Sequence, residues 1–227
     1  MDLILSFLSK TFAFDENSPL LFTQFYFWAF FAIVFAIFSL IHSKRLLRNT
    51  FLFIVSLFFY YKTSGLFVLL LIFATISDFF IAKLVYRSEK ELHRKLFVGL
   101  SVCINLLVLS YFKYSYFFVD LVNSLFGTAF QVHDYFAAIG NAVTGSNRFS
   151  VDQIILPVGI SFYTFQTISY TMDVYRRRIA PVKNILDYGF YVSFFPQLVA
   201  GPIVRANEFI PQLYRPFRLS RRGFGLA

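Results

Sequence analysis

A chain of 227 residues with 21 Lys and Arg against 12 Asp and Glu, and a formal charge of +9, has the charge of a nucleic-acid binder. Its composition excludes that reading and excludes a soluble domain. Apolar residues make up 58%, Phe alone fills 34 positions, and only 15% are charged, where a soluble domain carries about 25%.

The basic residues cluster beside apolar runs instead of tracking one face, which is the placement expected of cytoplasmic loops in a polytopic membrane protein. The N-terminus, Met1 to Lys10, lacks a positive leader region and a small-residue cleavage site, so it reads as a short interfacial helix and not a removable signal peptide. The break Asp15-Glu-Asn-Ser-Pro19 follows. Leu20 to Ile41 is the first span, 22 residues without a charge and long enough to cross a hydrocarbon core of about 30 Å. His42, Lys44, Arg45 and Arg48 come next. The apolar stretch Thr50 to Tyr61 breaks at Lys62 to Gly65 and resumes from Leu66 to Ala82, giving two lean antiparallel helices that require tilt or an incomplete crossing. Lys83, Arg87, Lys90, Arg94 and Lys95 form a second basic loop, and Phe97 to Val119 is the next span, with Lys113 inside it. The single Cys103 lies in that run and reads as a packing residue, which leaves no disulfide and no metal site within the chain.

Segment charges orient these spans. Residues 1–19 and 120–153 each carry a net of −2, and loops 42–48 and 83–95 each carry +3. Lys and Arg mark the cytoplasmic side, so the N-terminus and the Gly-rich 120–153 loop lie outside. His133 in that loop, and His42 and His93 in the basic loops, read as surface residues. Ile154 to Tyr175 then crosses inward and delivers Arg176-Arg177-Arg178. The run Ile185 to Val204 holds Pro196, Gly201 and Pro202, a poor recipe for a continuous helix. Arg205, Arg215, Arg218, Arg221 and Arg222 follow it, so 185–204 is expected to be broken or re-entrant and to return to the cytoplasmic face.

The polar residues of the inward span carry the functional signal. Gln166, Tyr170 and Asp173 recur at spacings of four and three, which places them near one helix face. An intramembrane carboxylate costs about 2.5 kcal/mol or more on lenient insertion scales, so Asp173 is a candidate site unless it pairs with Arg176 or Arg177 at the helix end. Gln197 and Arg205 are further polar candidates near the broken run.

Leu156-Pro-Val-Gly-Ile-Ser-Phe-Tyr-Thr-Phe-Gln166, Ser169-Tyr-Thr-Met-Asp-Val-Tyr-Arg176 and Tyr191-Val-Ser-Phe-Phe-Pro-Gln-Leu-Val-Ala-Gly-Pro-Ile203 resemble the signature blocks of the membrane-bound O-acyltransferase (MBOAT) family. Ser56 to Tyr61, Ser77-Asp78-Phe79 and Tyr111 to Tyr114 also resemble it. The nearest subgroup is the bacterial one of alginate O-acetyltransferases and the teichoic-acid D-alanyl transfer protein. The resemblance implies an all-α, polytopic transmembrane fold with short tilted and re-entrant helices, residues 1–227 being one transmembrane region that forms the N-terminal half of such a fold. It implies a bacterial inner-membrane enzyme that moves an acyl group, acetyl by subgroup, to hydroxyls of an extracytoplasmic polysaccharide. The acyl thioester donor, acetyl-CoA or an acyl-carrier protein, is a co-substrate, and no cofactor is bound permanently. The implied partners are the lipid bilayer, the C-terminal half of the same protein and an extracytoplasmic acyl-transferring protein, with no nucleic acid. Family members use a histidine deep in a membrane tunnel as general base, and none of the histidines here falls in a matching block. The resemblance therefore places that histidine beyond Ala227 and leaves the 227 residues inactive alone. The alternative of another class is a non-catalytic scaffold or transport component; the absence of an internal repeat disfavours a transporter.

Overall fold

The computed structural model describes residues 25–145, 150–198, 201 and 204–215. The expected interfacial helix at 1–10 and the basic tail from Pro216 lie outside them. Uninterrupted apolar sequence makes α1 (Phe25–Ile41), which buries only Phe27 and Val34, seven residues apart on the stripe that meets its neighbour. There the rings of Phe27, Phe30, Phe59 and Phe195 form an edge-to-face cluster with centroids 5.2–6.4 Å apart. Helix α2 (Arg45–Ser64) runs straight through Lys62, Thr63 and Ser64, where the sequence led us to expect a break. The chain turns at Gly65 instead, with φ 60° and ψ −135°, a conformation open to glycine and closed to most side chains. A polar residue does not stop a helix; this backbone geometry does. One 3₁₀ turn (Gly65–Phe67) then leads into α3 (Val68–Arg87).

Helix α4 (Glu91–Phe126) has 36 residues, a length of about 54 Å. It outruns the expected 97–119 at both ends, and residues 120–126, expected in the outer loop, are helical. Lys113 is exposed, with its ammonium over the Tyr114 ring at 5.5 Å from the centroid, so its charge is not buried in the bundle. Cys103 corrects another expectation. It is exposed on α4, while its neighbours Val102 and Ile104 pack against the core. The helix ends on Gly127, and a loop closes over it: Asn123 Nδ2 donates to the Phe130 carbonyl at 2.9 Å. Asp134 then caps the short α5 (Tyr135–Thr144) by accepting from the amides of Phe136 and Ala137.

Helix α6 (Ile160–Tyr175) starts six residues later than the expected span, after Pro157 and Gly159. Gly159 has φ 75°, and a Cβ there would lie 2.6 Å from the Leu198 carbonyl oxygen, so the residue brings the start of α6 against the far end of the broken run. That run is interrupted as expected. Helix α7 (Ile185–Ser193) stops at Phe194, a single turn α8 (Phe195–Leu198) follows, and α9 (Ala206–Tyr214) leads back. Helix α3 is central and packs on α4, α6 and α7, while α2 lies along α7 and α9 rests across α6 and α7. Gly189 allows the closest α2–α7 approach, since a Cβ there would meet the Phe53 ring at 2.6 Å. Two stretches, Arg45–Arg87 and Glu91–Phe126, are long and apolar enough to cross a membrane; α1 is apolar but shorter.

One end of this assembly gathers the cations. Arg94 donates to the Tyr175 carbonyl and stacks over the Tyr175 ring, closing the C-terminus of α6. Arg48 donates to the Leu213 carbonyl at 2.6 Å and to that of Arg215 at 3.5 Å, closing the C-terminus of α9. Both place a guanidinium on the negative end of another helix's dipole.

Candidate functional site: a buried polar seam

Three helices contribute one hydrogen-bonded chain to the core. Asp78 of α3 is completely buried nine residues before the end of its helix, about 13 Å from it. Its carboxylate accepts from the Ser101 hydroxyl at 2.5 Å and from Asn105 Nδ2 at 2.7 Å, both on α4. The second Asn105 amide proton goes to the Ser101 carbonyl at 2.9 Å, and Asn105 Oδ1 accepts from the Thr167 hydroxyl of α6 at 2.9 Å. A carboxylate this deep is too far from the helix end to snorkel, and only neutral donors touch it.

Gln166, Tyr170 and Asp173 line the neighbouring face of α6, all buried and all turned toward protein. Gln166 Nε2 donates to the Tyr191 carbonyl at 2.8 Å, tying α6 to the last turn of α7. The Tyr170 hydroxyl accepts from the Val182 amide at 3.0 Å, and its ring lies 4.5 Å from that of Tyr188, itself 6.2 Å from Tyr191. Asp173 pairs with Arg178 at 3.5 Å, not with Arg176 or Arg177, because the chain turns through Arg177 at φ 56° and brings Arg178 back over the helix end. Its other carboxylate oxygen is buried without a partner. Gln197 is half-buried, with a buried side-chain oxygen that, like that of Asp173, lacks a partner among the described residues. Arg205 is exposed at the start of α9 and stands apart from the seam.

A second polar cluster was not foreseen. Asp187 on α7 is buried and accepts from Asn49 Nδ2 on α2 at 2.8 Å, while Asn49 Oδ1 accepts from Arg48 Nε at 3.1 Å. The Tyr214 hydroxyl beside it is held above its ordinary pKa by burial and then by the Asp187 carboxylate. Elsewhere in the core, the hydroxyls of Tyr163 and Tyr188 are buried without a partner among the described residues. Asp78, Asn105 and Asp187 each carried a readable signal: a carboxylate or amide inside an apolar run.

The histidines lie elsewhere. His93 and His133 are exposed, the latter against the Tyr135 ring, and His42 bonds the Ser39 carbonyl at the end of α1.

Comparison with known proteins places this architecture. The chain is 35% identical over 168 residues to the Pseudomonas aeruginosa protein named "Probable alginate O-acetylase AlgI", a match covering 73% of this chain and 29% of that protein. An Azotobacter vinelandii protein of the same name is 40% identical over 113 residues, half of this chain and 20% of that protein. A Helicobacter pylori peptidoglycan O-acetyltransferase is 29% identical over 194 residues, 75% of this chain and 33% of that protein. The chain thus spans about a third or less of the length of the curated relatives it matches. No family profile and no solved structure matches it. These relatives are membrane-bound O-acyltransferases, and the chain is their homologue over about three quarters of its length.

Proposed function

We propose that these residues form the helical scaffold of a multi-pass, inner-membrane O-acyltransferase that moves an acetyl group from a thioester donor to hydroxyls of an extracytoplasmic polysaccharide. The observation that carries this reading is the polar seam: Asp78, Ser101, Asn105 and Thr167 bonded across α3, α4 and α6 inside an otherwise apolar bundle. A carboxylate is costly to bury among apolar helices, and one kept there is a functional-site candidate. The homology to proteins named for acetylation of alginate and of peptidoglycan supplies the chemistry. In this reading the seam and the Gln166–Tyr170–Asp173 face position the walls of the acyl-transfer path. His42, His93 and His133 all lie outside the seam, so none of them is proposed as the general base that draws the proton from the acceptor hydroxyl.

Deleting the gene in its host should remove ester-linked acetate from the extracytoplasmic polysaccharide, measured as acetate released by mild alkali. The wild-type gene should restore it, and Asn105→Leu at matched membrane abundance should not. Unchanged acetate after deletion, or full restoration by Asn105→Leu, contradicts the proposal.

A further inference from the structure

At the cation-rich end, between the start of α2, the 180–184 segment and the last turn of α9, lies a cavity of about 430 Å³, within the size range of small-ligand sites. Its charged lining is Arg45, Lys183 and Asp187, and its apolar lining includes Leu46, Pro181 and Ile210, with Tyr214 at the side. Asp187 is already engaged by Asn49, next to Arg48. Arg45 lies over the Tyr214 ring at 5.1 Å, and neither Arg45 nor Lys183 takes part in an ion pair among the described residues. Two uncommitted cations therefore stand over apolar walls. Leu46 and Leu47 beside the mouth are 62% and 50% exposed, which continues the apolar surface outward along α2.

We propose that this cavity binds the phosphate of an anionic phospholipid, with Arg45 and Lys183 on the head group and one acyl chain lying along Leu46 and Leu47. The charge fits a phosphodiester: the two cations outside any ion pair exceed the single carboxylate, which already accepts from Asn49 Nδ2. The apolar walls fit an amphiphile better than a soluble anion, which would leave Leu46 and Ile210 in water. The position fits too, since the cavity is framed by ends of α2, α7 and α9, where a basic pocket between helices meets the level of lipid head groups, and Tyr214 has the amphipathic ring common at that level.

The test is native mass spectrometry of the detergent-purified chain titrated with dioleoyl phosphatidylglycerol or dioleoyl phosphatidylcholine. Phosphatidylglycerol should be retained selectively. Arg45→Gln and Lys183→Gln should each weaken its retention about fivefold, and the double variant more. Ala180→Trp, which fills the cavity without changing charge, should weaken it as well. Lys90→Gln, a charge removed from the same end but outside the cavity, should leave it unchanged. Circular dichroism confirms that each variant is folded. Equal retention of both lipids overturns the proposal, as does a Lys90→Gln effect equal to that of Arg45→Gln. Displacement of phosphatidylglycerol by free coenzyme A in the wild type, lost in Arg45→Gln, would assign the phosphate to a soluble nucleotide and also overturn it.

Discussion

Asn105 uses both amide protons and its carbonyl oxygen, so its side chain bridges α3 and α6 through Asp78 and Thr167. Thr167→Val removes one of these bonds and should cost about 0.6–1.5 kcal/mol, the range for a single polar contact between membrane helices. Asn105→Ala removes three and leaves the Asp78 carboxylate short of a donor, so its cost should be two to three times larger. Denaturant unfolding in micelles gives both values; equal costs would mean that the seam is a set of independent contacts. At this scale the sequence was partly legible. Gln166, Tyr170 and Asp173 could be put on one face because a helix repeats every three to four residues. Asp78, Asn105 and Thr167 could not be joined that way, since no periodicity relates residues on three separate helices. The rule that singled out Asp173 applies equally to Asp78, whose carboxylate lies in the run from Leu66 to Ala82.

Among the elements, apolar length foretold helices, and backbone chemistry decided where they stop. Gly65 and Gly127 end α2 and α4, not the nearest charged residue, which is why Lys62 and Asp120 misplaced the expected boundaries. Two glycines within helix contacts give opposite expectations on substitution. Gly189→Ala should cost about 1–3 kcal/mol by pressing on the Phe53 ring, and Phe53→Ala should relieve much of that in the double variant. Gly159→Ala should be worse and beyond rescue, because its Cβ meets the Leu198 backbone carbonyl and its φ of 75° is one that residues with a Cβ rarely adopt. A double-mutant cycle read by thermal unfolding separates the cases. Additive costs for Gly189→Ala and Phe53→Ala would show that α7 moves away from α2 instead of clashing with it.

For the whole molecule, charge was the most legible quantity and burial the least. The two basic loops and Arg176 to Arg178 do meet at one end, where Arg94 closes α6 and Arg177 lies over the Tyr86 ring. Arg48, counted in the sequence only as a loop charge, is buried and closes α9. Arg48→Gln should therefore speed amide exchange in α9 at least tenfold while leaving α3 and α4 protected, and Arg48→Lys should fall between because a lysine cannot fork across two carbonyls. Identical exchange in α9 would remove the cap from the argument. Those carbonyls are 165 and 167 positions along the chain from Arg48. At 5–20 residues per second, on the order of ten to thirty seconds pass between synthesis of the arginine and arrival of the groups it will hold. Through that interval the helix end that Arg48 will close does not yet exist, so the clasp that finishes the bundle can form only after nearly the whole described chain has been made.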